Sequence, residues 1–327
     1  MTNTLHDPRL TDEQKKLYDE FSVNEMLPVE EHETPIGNIL FKRIDKYKPV
    51  DNIHVGGGKT LQSVTLMINN INQIRDHFDS NVSTAAALTS PQHHLVSGVA
   101  KKLGLNSFVG IQGTPERLPI ILEKYSMIKA AQYYDATILP VTKAAYQVVI
   151  ESRMNKQLAK DGIKHFFIKF GINIDKDRDA ILGSIANQVE NIPDELDHLI
   201  IPSGSCLSAA AIINGIHKFK KKIKNIHVIQ IAGGSHAKNI DVNMPVLAHY
   251  KYQFHLITDI PYKEHRYYTI GKDDQEFQID PVYEGKAYEY LLNNHKEMGI
   301  KPDDKTLFWV VGSTVSTRKH FGDSLGY

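Results

Sequence analysis

The chain has 327 residues, of which 41% are hydrophobic and 23% are charged. This composition is ordinary for a soluble globular protein of about two domains. Lysine plus arginine and aspartate plus glutamate both number 38, so no overall field favours nucleic acid or an acidic membrane. The single cysteine, Cys206, excludes an intrachain disulfide and a zinc site made of several cysteines. With no apolar signal core near Met1 and no apolar run of about 18 residues, we expect a cytoplasmic protein.

Short apolar runs alternate with amphipathic segments along most of the chain. Residues 1–33 are acidic and mixed, and we expect a helical or loosely ordered leader there. The pattern predicts strands at 53–55, 82–88, 108–111, 136–141, 165–170, 198–201, 227–232 and 307–311. It predicts helices at 61–78, 92–103, 118–129, 144–160, 180–189 and 207–218. This alternation indicates an α/β fold of parallel twisted sheets flanked by helices, with ligands at the carboxyl ends of the strands.

The domain organisation is indicated by a weak change in composition at 161–163, where the chain returns from a smaller lobe to a larger one. We therefore expect a leader at 1–33, a larger domain at 34–60 plus 161–327, and a smaller α/β domain at 61–160. A chain of this length fits two such lobes better than one simple core.

A glycine-rich turn, Gly56–Thr60, follows the predicted strand at 53–55 and contains Lys59. Glycines let the backbone approach a ligand closely, although the upstream glycine of a phosphate-binding loop is missing. A lysine held against such a turn can have a lowered pKa and act as an amine nucleophile. The alternative is a surface lysine beside a flexible turn.

A second turn, Pro202–Leu207, joins a predicted strand to the helix at 207–218. Small residues expose backbone N–H groups there, and the helix dipole adds positive potential, so the turn suits a phosphate. Ser203 and Ser205 can add hydroxyl donors. The alternative is an ordinary serine N-cap, and Cys206 is interpreted as a small turn or core residue rather than a nucleophile.

A third turn, Thr89–His94, offers a hydroxyl, an amide and two imidazoles at the start of a predicted helix. His93 and His94 are adjacent, so on a helix they point about 100° apart and make a poor metal pair. We predict no metal site. The alternative for this turn is a helix start capped by Ser90.

The segment Asp280–Ala287 places a phenol, a carboxylate and a lysine on one strand-to-helix turn. Asp280 is typical of an N-cap and Pro281 of a first helical residue. A nucleophilic lysine, a phosphate cradle and a carboxylate–tyrosine pair together indicate pyridoxal 5′-phosphate, which needs a Schiff-base lysine, a phosphate site and a partner for its pyridine nitrogen.

On these residues the chain resembles the 1-aminocyclopropane-1-carboxylate deaminase and D-cysteine desulfhydrase family. Its members are pyridoxal-phosphate enzymes of the tryptophan-synthase-β fold, also called fold type II. The resemblance covers roughly residues 34–327 and is distant. Its marks are Thr34-Pro35, Lys42–Asp45, Gly56–Lys59, Ser90–Gln92, Lys102–Leu105, Ser203–Cys206 and, most specifically, Asp280–Ala287.

For the cofactor, the resemblance implies that Lys59 forms the Schiff base and moves the proton at Cα of the substrate. It implies that the phosphate is held by the second turn, namely by Ser203, Gly204, Ser205 and Cys206. Glu284 would face the pyridine nitrogen and keep it protonated, which makes the ring a strong electron sink. Deaminase-type members carry glutamate at this place, whereas desulfhydrase-type members usually carry threonine.

For the substrate, the resemblance implies that Ser90 and Gln92 hold the carboxylate and that Tyr283 lies near the reacting atoms. Tyr283 and Ser90 are therefore expected to be catalytic, with Tyr268 or Tyr267 as a second phenol. Tyr283 needs its pKa, near 10 when unperturbed, to be tuned by the site.

Three departures from the family pattern indicate a different substrate. Pro91 stands where members carry an asparagine that bonds the ring hydroxyl, and proline has neither that side chain nor an N–H. Leu61 replaces a usual arginine. The segment Trp309–Ser313 keeps a strand but not the usual glycine pair.

The leading interpretation is a pyridoxal-phosphate-dependent lyase or deaminase that acts on an amino acid through a quinonoid intermediate, as a homodimer. An alternative changes the substrate to an amino acid attached to a nucleotide or nucleic acid, because of the basic run Lys218–Lys224. That run also fits a solvated helix end. A third possibility, motivated by Pro91, is a non-catalytic binding protein that retains the fold.

Overall fold

The computed structural model describes residues 9–51, 54–143, 146–172, 175–231, 252–256, 267–312 and 314–322. Its strands are β1 (Val29–Thr34), β2 (Gly37–Arg43), β3 (Asn81–Ala85), β4 (Asn106–Gln112), β5 (Thr137–Thr142), β6 (Phe166–Ile168), β7 (Glu195–Ser203), β8 (Lys222–Gln230), β9 (Tyr252–Leu256), β10 (Tyr268–Ile270), β11 (Phe277–Ile279) and β12 (Thr306–Val310). Its helices are α1 (Asp12–Glu20), α2 (Gly58–Asn69), α3 (Ile71–His77), α4 (Gln92–Lys102), α5 (Leu118–Lys124), α6 (Ser126–Tyr133), α7 (Gln147–Lys160), α8 (Arg178–Asn187), α9 (Leu207–Lys218), α10 (Glu284–Asn294) and α11 (Val315–Phe321). None of the described helices is both long enough and apolar enough to cross a membrane.

The chain forms two compact units. The first comprises Asn24–Tyr47 and Leu182–Val315, and the second comprises the described parts of Thr2–Val23, Lys48–Ile181 and Ser316–Tyr327. The second unit is thus longer at both ends than the smaller domain expected at 61–160. It extends beyond 160 because β6 pairs with β3 and completes this unit's sheet. Lys59 belongs to the second unit, and the expected leader at 1–33 is divided between the two.

The first unit is built on a six-stranded sheet in the order β1-β2-β12-β7-β8-β9. Only β1 is antiparallel to its neighbour. The central strand β12 is buried along its whole length, as expected for a parallel strand covered on both faces. Phe41 and Phe308, on neighbouring strands, pack with Tyr288 of α10. This aromatic contact fixes the helix that carries Glu284 at its first residue.

The second unit contains a four-stranded parallel sheet in the order β5-β4-β3-β6. Helix α4 is buried from Gln92 to Ala100 and packs against α2 and α6. The contact is close at Gly98, where a β-carbon would lie 2.4 Å from Cγ2 of Val55. A glycine on α4 therefore lets the chain just before the Gly56–Thr60 turn approach the helix.

A row of three histidines crosses the first unit's sheet on adjacent strands. His198 Nδ1 lies 3.0 Å from His227 Nε2, and His227 Nδ1 lies 3.2 Å from His255 Nε2. Asp304 lies 3.3 Å from His198 Nε2 at one end, and the Tyr290 hydroxyl lies 3.3 Å from His255 Nδ1 at the other. An ionised carboxylate only accepts, so with all three rings neutral one assignment satisfies every contact: each proton is on Nε2, and Tyr290 donates.

The alternation of strands and helices is predicted correctly, but several elements differ. His54 and Val55 form a bend rather than a strand, and Ile53 lies outside the described residues, as do Ser313 and residues 1–8. The helices expected at 61–78 and 118–129 are each divided into two, at Asn70 and Tyr125. The Asn70 side chain ends α2 by bonding the Leu66 carbonyl at 2.9 Å. Strands β1, β9, β10 and β11 and helix α11 are not predicted.

Candidate functional site

Lys59 is the second residue of α2 and follows a strongly constrained turn. Gly57 has a φ of 85°, in a region that residues with a β-carbon rarely adopt. Thr60 Oγ1 donates to the Gly56 carbonyl at 2.7 Å, which closes the turn. Burial lowers the pKa of the Lys59 amine to about 8. At neutral pH a larger fraction of this amine is therefore unprotonated, and nucleophilic, than in an ordinary lysine.

The turn before α4 uses its polar groups within the protein. Gln92 Nε2 donates to Thr84 Oγ1 at 2.7 Å and to the Lys169 carbonyl at 3.0 Å. Gln92 Oε1 accepts from the Gly171 N–H at 2.8 Å. Ser90 is buried, and its Oγ accepts from the Gln92 N–H at 3.3 Å. The amide predicted to hold a substrate carboxylate is thus engaged at both ends within the protein, which favours a structural role for Gln92.

His93 and His94 are fully buried and help to hold neighbouring loops. His93 Nε2 lies 2.9 Å from the Ala87 carbonyl, and His94 Nε2 lies 3.5 Å from Thr317 Oγ1, which donates to the His54 carbonyl. Burial lowers the pKa of His93 to about 4 and that of His94 to about 3, so both rings are neutral. In the described part of the chain, no three His, Cys, Asp or Glu residues are arranged to hold a metal ion.

The turn between β7 and α9 has the features of an anion site. Ser203 Oγ is buried, and among the described residues only the weakly bonding Cys206 thiol interacts with it. Cys206 is the N-cap of α9, with a φ of 65°, and its side chain makes no capping hydrogen bond. Among the described residues, a β-carbon on Gly204 would meet only the Tyr283 ring, at 4.0 Å. A helix N-terminus that its N-cap side chain leaves unbonded, beside a buried hydroxyl, suits a phosphate.

Cys206 is buried, as expected for a turn or core residue, and burial raises the pKa of its thiol. Its left-handed backbone is uncommon for a residue with a side chain. Such a conformation persists only where its surroundings hold it, and it is found disproportionately at ligand sites.

Asp280 shapes the turn before α10 differently from the predicted N-cap. Its Oδ1 accepts from the N–H groups of Val282 and Tyr283, each at 2.8 Å, and its Oδ2 accepts from Thr314 Oγ1. The helix begins at Glu284 with Tyr283 as N-cap, three residues later than predicted. The physical reason is that an Asx turn over Pro281 comes before the helix and uses the Asp280 carboxylate.

Glu284 lies at the first residue of α10 and is 1% exposed. Its Oε1 accepts from the Gly312 N–H, and its Oε2 is buried with no hydrogen-bond partner among the described residues. Burial, and then the nearby charge of Asp280, raises the pKa of Glu284 to about 8. A β-carbon at residue 312 would lie 2.7 Å from Oε1, so Gly312 is required for this contact.

The three candidate tyrosines occupy different places in the first unit. The half-buried Tyr283 ring faces Gly204, so the turn at 203–206 and the start of α10 are brought together. Tyr268 packs edge-on against Tyr288, with ring centroids 5.4 Å apart, on the side of the hydrophobic core. Tyr267 is half-buried just before β10. Among these, Tyr283 is the one that the structure brings to the predicted phosphate turn.

The basic run at 218–224 is largely neutralised by neighbouring side chains. Lys221, Lys222 and Lys224 form ion pairs with Asp194, Glu195 and Asp197 at 2.8, 2.8 and 2.5 Å. Lys218 donates to Asn187 Oδ1 at 2.7 Å. Paired lysines have little charge left for a phosphate backbone, so the run fits a solvated surface better than a nucleic-acid site.

One aromatic residue near Lys59, Phe170, is not among the candidate residues identified from the sequence. The Phe170 ring centroid lies 5.3 Å from Lys59 Nζ, and the residue is 43% exposed. It follows β6 at the carboxyl end of the strand, where ligands of parallel sheets bind. Its position after a strand end was the available signal.

Comparison with known proteins gives consistent results. No model of a known protein family matches the chain. The chain is 22% identical, over 84% of its length and 78% of the relative's, to an O-seryl-dTMP PLP-dependent decarboxylase of Salmonella phage ViI.

Among solved structures, the chain is similar to an ACC deaminase homologue, with a TM-score of 0.67 and 16% identity over 97% of this chain and 99% of that one. It is similar to the holo diaminopropionate ammonia lyase of Escherichia coli, with a TM-score of 0.61 and 11% identity over 100% and 96%. It is also similar to threonine deaminase isoform 2 of Solanum lycopersicum, with a TM-score of 0.59 and 13% identity over 98% and 90%. The expected resemblance in fold is confirmed.

Proposed function

The chain has the fold type II, tryptophan-synthase-β architecture, and on it we propose a pyridoxal-phosphate-dependent lyase that cleaves a bond at Cα of an amino-acid substrate. In this proposal Lys59 forms the Schiff base, the turn at 203–206 holds the phosphate and Glu284 bonds the pyridine nitrogen. Pyridoxal phosphate, when bound, supplies an aldehyde that condenses with amines and a ring that accepts the electron pair of the bond that breaks.

The observation that carries this proposal is the state of Glu284. A buried carboxyl group with one oxygen held by Gly312 and the other lacking a described partner is costly. A protonated pyridine nitrogen is a cationic N–H donor that satisfies such an oxygen and favours its ionised form. Glutamate, in place of a neutral hydroxyl residue, suits chemistry that places full negative charge on Cα.

Two further features support the cofactor. The Ser203 hydroxyl and the uncapped start of α9 together offer donors to a phosphate. Lys59 has the lowered pKa that a Schiff-base amine requires. In this proposal Lys59, once the substrate has displaced its amine, returns a proton to Cα.

Decarboxylation is the reaction we favour within this class. Pro91 has no N–H, and the Gln92 amide is bonded to Thr84, Lys169 and Gly171, so the turn expected to anchor a carboxylate lacks these two sources of donors. A loosely held carboxylate can leave as CO2, with its electron pair remaining on Cα and a proton from Lys59 taking its place. The phage relative, an O-seryl-dTMP decarboxylase by name, favours an amino acid attached to a nucleotide over a free one.

Deamination of a free amino acid is the second candidate, favoured by the similarity of fold to the ACC deaminase homologue and the ammonia lyase. The two differ in product, since one releases CO2 and leaves an amine whereas the other releases ammonia and leaves a keto acid. Retention of Lys59, Tyr283 and Glu284 argues against a non-catalytic protein. The homodimer and Ser90 as a substrate contact remain parts of the proposal.

The test begins with purified protein incubated with pyridoxal phosphate. We expect a visible absorption band that is lost in Lys59→Ala, and retained cofactor after gel filtration; a colourless protein that takes up no cofactor would refute the proposal. The loaded enzyme is then given O-seryl nucleotides and free amino acids, with CO2 and ammonia measured in parallel. Ammonia without CO2 would select the deaminase, and light scattering gives the oligomeric state.

A further inference from the structure

Gln92 bonds the backbone on both sides of Phe170. Its Nε2 donates to the carbonyl of the residue before, Lys169, at 3.0 Å, and its Oε1 accepts from the N–H of the residue after, Gly171, at 2.8 Å. A residue of a neighbouring parallel strand, paired with Phe170, would make the same two bonds to Lys169 and Gly171. A single side chain therefore holds the loop as a strand partner would.

The same loop is folded into a tight turn with Phe170 at its tip. The Ile172 N–H donates to the Lys169 carbonyl at 3.0 Å, and Gly171 has a φ of 80°, as in a type II turn. Ile172 has a φ of 58°, which is strained for a β-branched residue. A strained backbone persists only where neighbouring groups hold it in place. Gln92 holds this loop directly and also through Thr84, whose Oγ1 accepts from Gln92 and donates to the Ile168 carbonyl at 3.0 Å.

The turn directs Phe170 to the reactive amine instead of the core. Its ring centroid is 5.3 Å from Lys59 Nζ while 43% of the residue stays exposed. The neighbouring Ile168 and Ile172 are fully buried and supply the contact of this loop with the core. The packing of the loop therefore does not require Phe170 to be buried. A planar apolar ring beside an amine removes water from it and can stack on a planar ligand joined to it.

We propose that Gln92 is a positioning residue that holds Phe170 against Lys59, and that Phe170 forms the apolar wall against which a planar aldehyde bound to that amine packs. The role of Phe170 as a wall for a bound aldehyde rests on the proposed function. The positioning of Phe170 by Gln92 concerns the protein without cofactor and does not depend on that function. The low pKa of Lys59 has burial as its cause, which agrees with a wall that excludes water.

The test measures the pKa of Lys59 in cofactor-free protein, from the pH dependence of its labelling by an amine reagent followed by peptide mass spectrometry. We expect Phe170→Ala to raise the labelling midpoint by roughly one pH unit towards that of an ordinary lysine. Gln92→Leu should raise it similarly, and the double variant should add nothing beyond Phe170→Ala, since both act through one ring. Tyr146→Ala, which truncates another exposed aromatic residue of the same unit, is the control and should leave it unchanged.

A second pair keeps the proposal testable if Gln92→Leu does not fold. Thr84→Val removes the hydroxyl that accepts from Gln92, whereas Thr84→Ser keeps it. Thr84→Val should raise the Lys59 midpoint and Thr84→Ser should not. Folded variants with an unchanged midpoint, or additive effects of Gln92 and Phe170, would overturn the positioning role.

Cofactor titration of the same variants separates the two proposals. Weaker binding of pyridoxal phosphate by Phe170→Ala, with Phe170→Tyr close to wild type, supports the apolar wall. Wild-type affinity in Phe170→Ala overturns it while leaving the cofactor in place. If wild-type protein takes up no pyridoxal phosphate but the midpoints shift, the proposed function fails, the wall for a bound aldehyde fails with it, and the positioning role of Gln92 stands.

Discussion

The backbone N–H of Gly312 donates to one carboxylate oxygen of Glu284, while the other oxygen is buried and has no hydrogen-bond partner in the described part of the chain. The protein thus fixes the orientation of this carboxylate without satisfying it. The raised pKa of Glu284 agrees with this missing donor, because burial penalises the ionised carboxylate and one N–H donor does not compensate for it.

The first prediction concerns the stability of cofactor-free protein with Glu284→Gln. Because the pKa of Glu284 is raised from 4.5 to about 8, folded protein binds more protons than unfolded protein between these values. The unfolding free energy of the wild type therefore falls as pH rises through this window, by up to about 1.4 kcal/mol per pH unit from this group. Glutamine does not titrate, so urea unfolding from pH 5 to 8 should show a flatter profile for the variant.

A second prediction concerns the reaction of the same variant. Glutamine keeps the volume and the acceptor for Gly312 but cannot hold a cationic nitrogen by charge. We expect turnover to fall by roughly 10²–10³-fold, as when other preorganised electrostatic groups are removed. Cofactor should still bind through the turn at 203–206, measured by absorbance. Unchanged turnover with bound cofactor would place the nitrogen elsewhere.

A third prediction concerns Ser203. Because only the weakly bonding Cys206 thiol interacts with its hydroxyl, Ser203→Ala should leave the stability of cofactor-free protein unchanged or slightly higher. The dissociation constant for pyridoxal phosphate should rise about tenfold, since a hydrogen bond to a charged group is lost. The matched control is Ser126→Ala, which removes another buried hydroxyl without a described partner from α6. An equal effect of both variants on binding would contradict the assignment.

A fourth prediction concerns acid stability and the histidine row. His227 is flanked by His198 and His255, and burial lowers its pKa from 6.5 to about 3. Unfolded protein therefore binds more protons between these values, so stability from this group is complete above 6.5 and is lost as pH falls towards 3. His227→Gln should be less stable at pH 7 but should lose less stability between pH 6.5 and 4, measured by urea unfolding. A parallel loss in both proteins would show that His227 protonates freely when folded.

A fifth prediction separates a nucleotide-level substrate from nucleic acid. The ion-paired lysines of the basic run should give no salt-dependent retention on a DNA column even at about 50 mM salt. Lys222→Ala and Lys224→Ala should elute with the wild type. Retention that is lost in these variants would restore the basic run as a nucleic-acid surface.

The turns before α9 and α10 lie near their predicted positions, because strand-to-helix turns require small residues in a short local pattern. The turn before Lys59 follows a bend instead of the predicted strand. The role of Gln92 does not follow from a local pattern, because its partners Lys169 and Gly171 lie 77 and 79 residues away. The start of α10 is missed for a local reason, since an Asx turn and an N-cap share the same residue preferences.

The histidine row is indicated in the sequence by the spacing of its three residues and not by composition. His198, His227 and His255 follow one another at intervals of 29 and 28 residues, close to the length of one strand-helix-strand repeat. Short strands such as β9 and β10 are not recognised from the sequence, because their pairing depends on neighbours distant in sequence.

The row also has a consequence for how the sheet is aligned. His227 is paired with Ile200 and His255 with Ile229, so the rings advance along the sheet by two residues at each strand. A slip of one residue would turn a ring to the opposite face. The edge strand β9 is therefore held at a single alignment by side-chain chemistry, and a substitution at His255 should loosen the edge of the sheet before its centre.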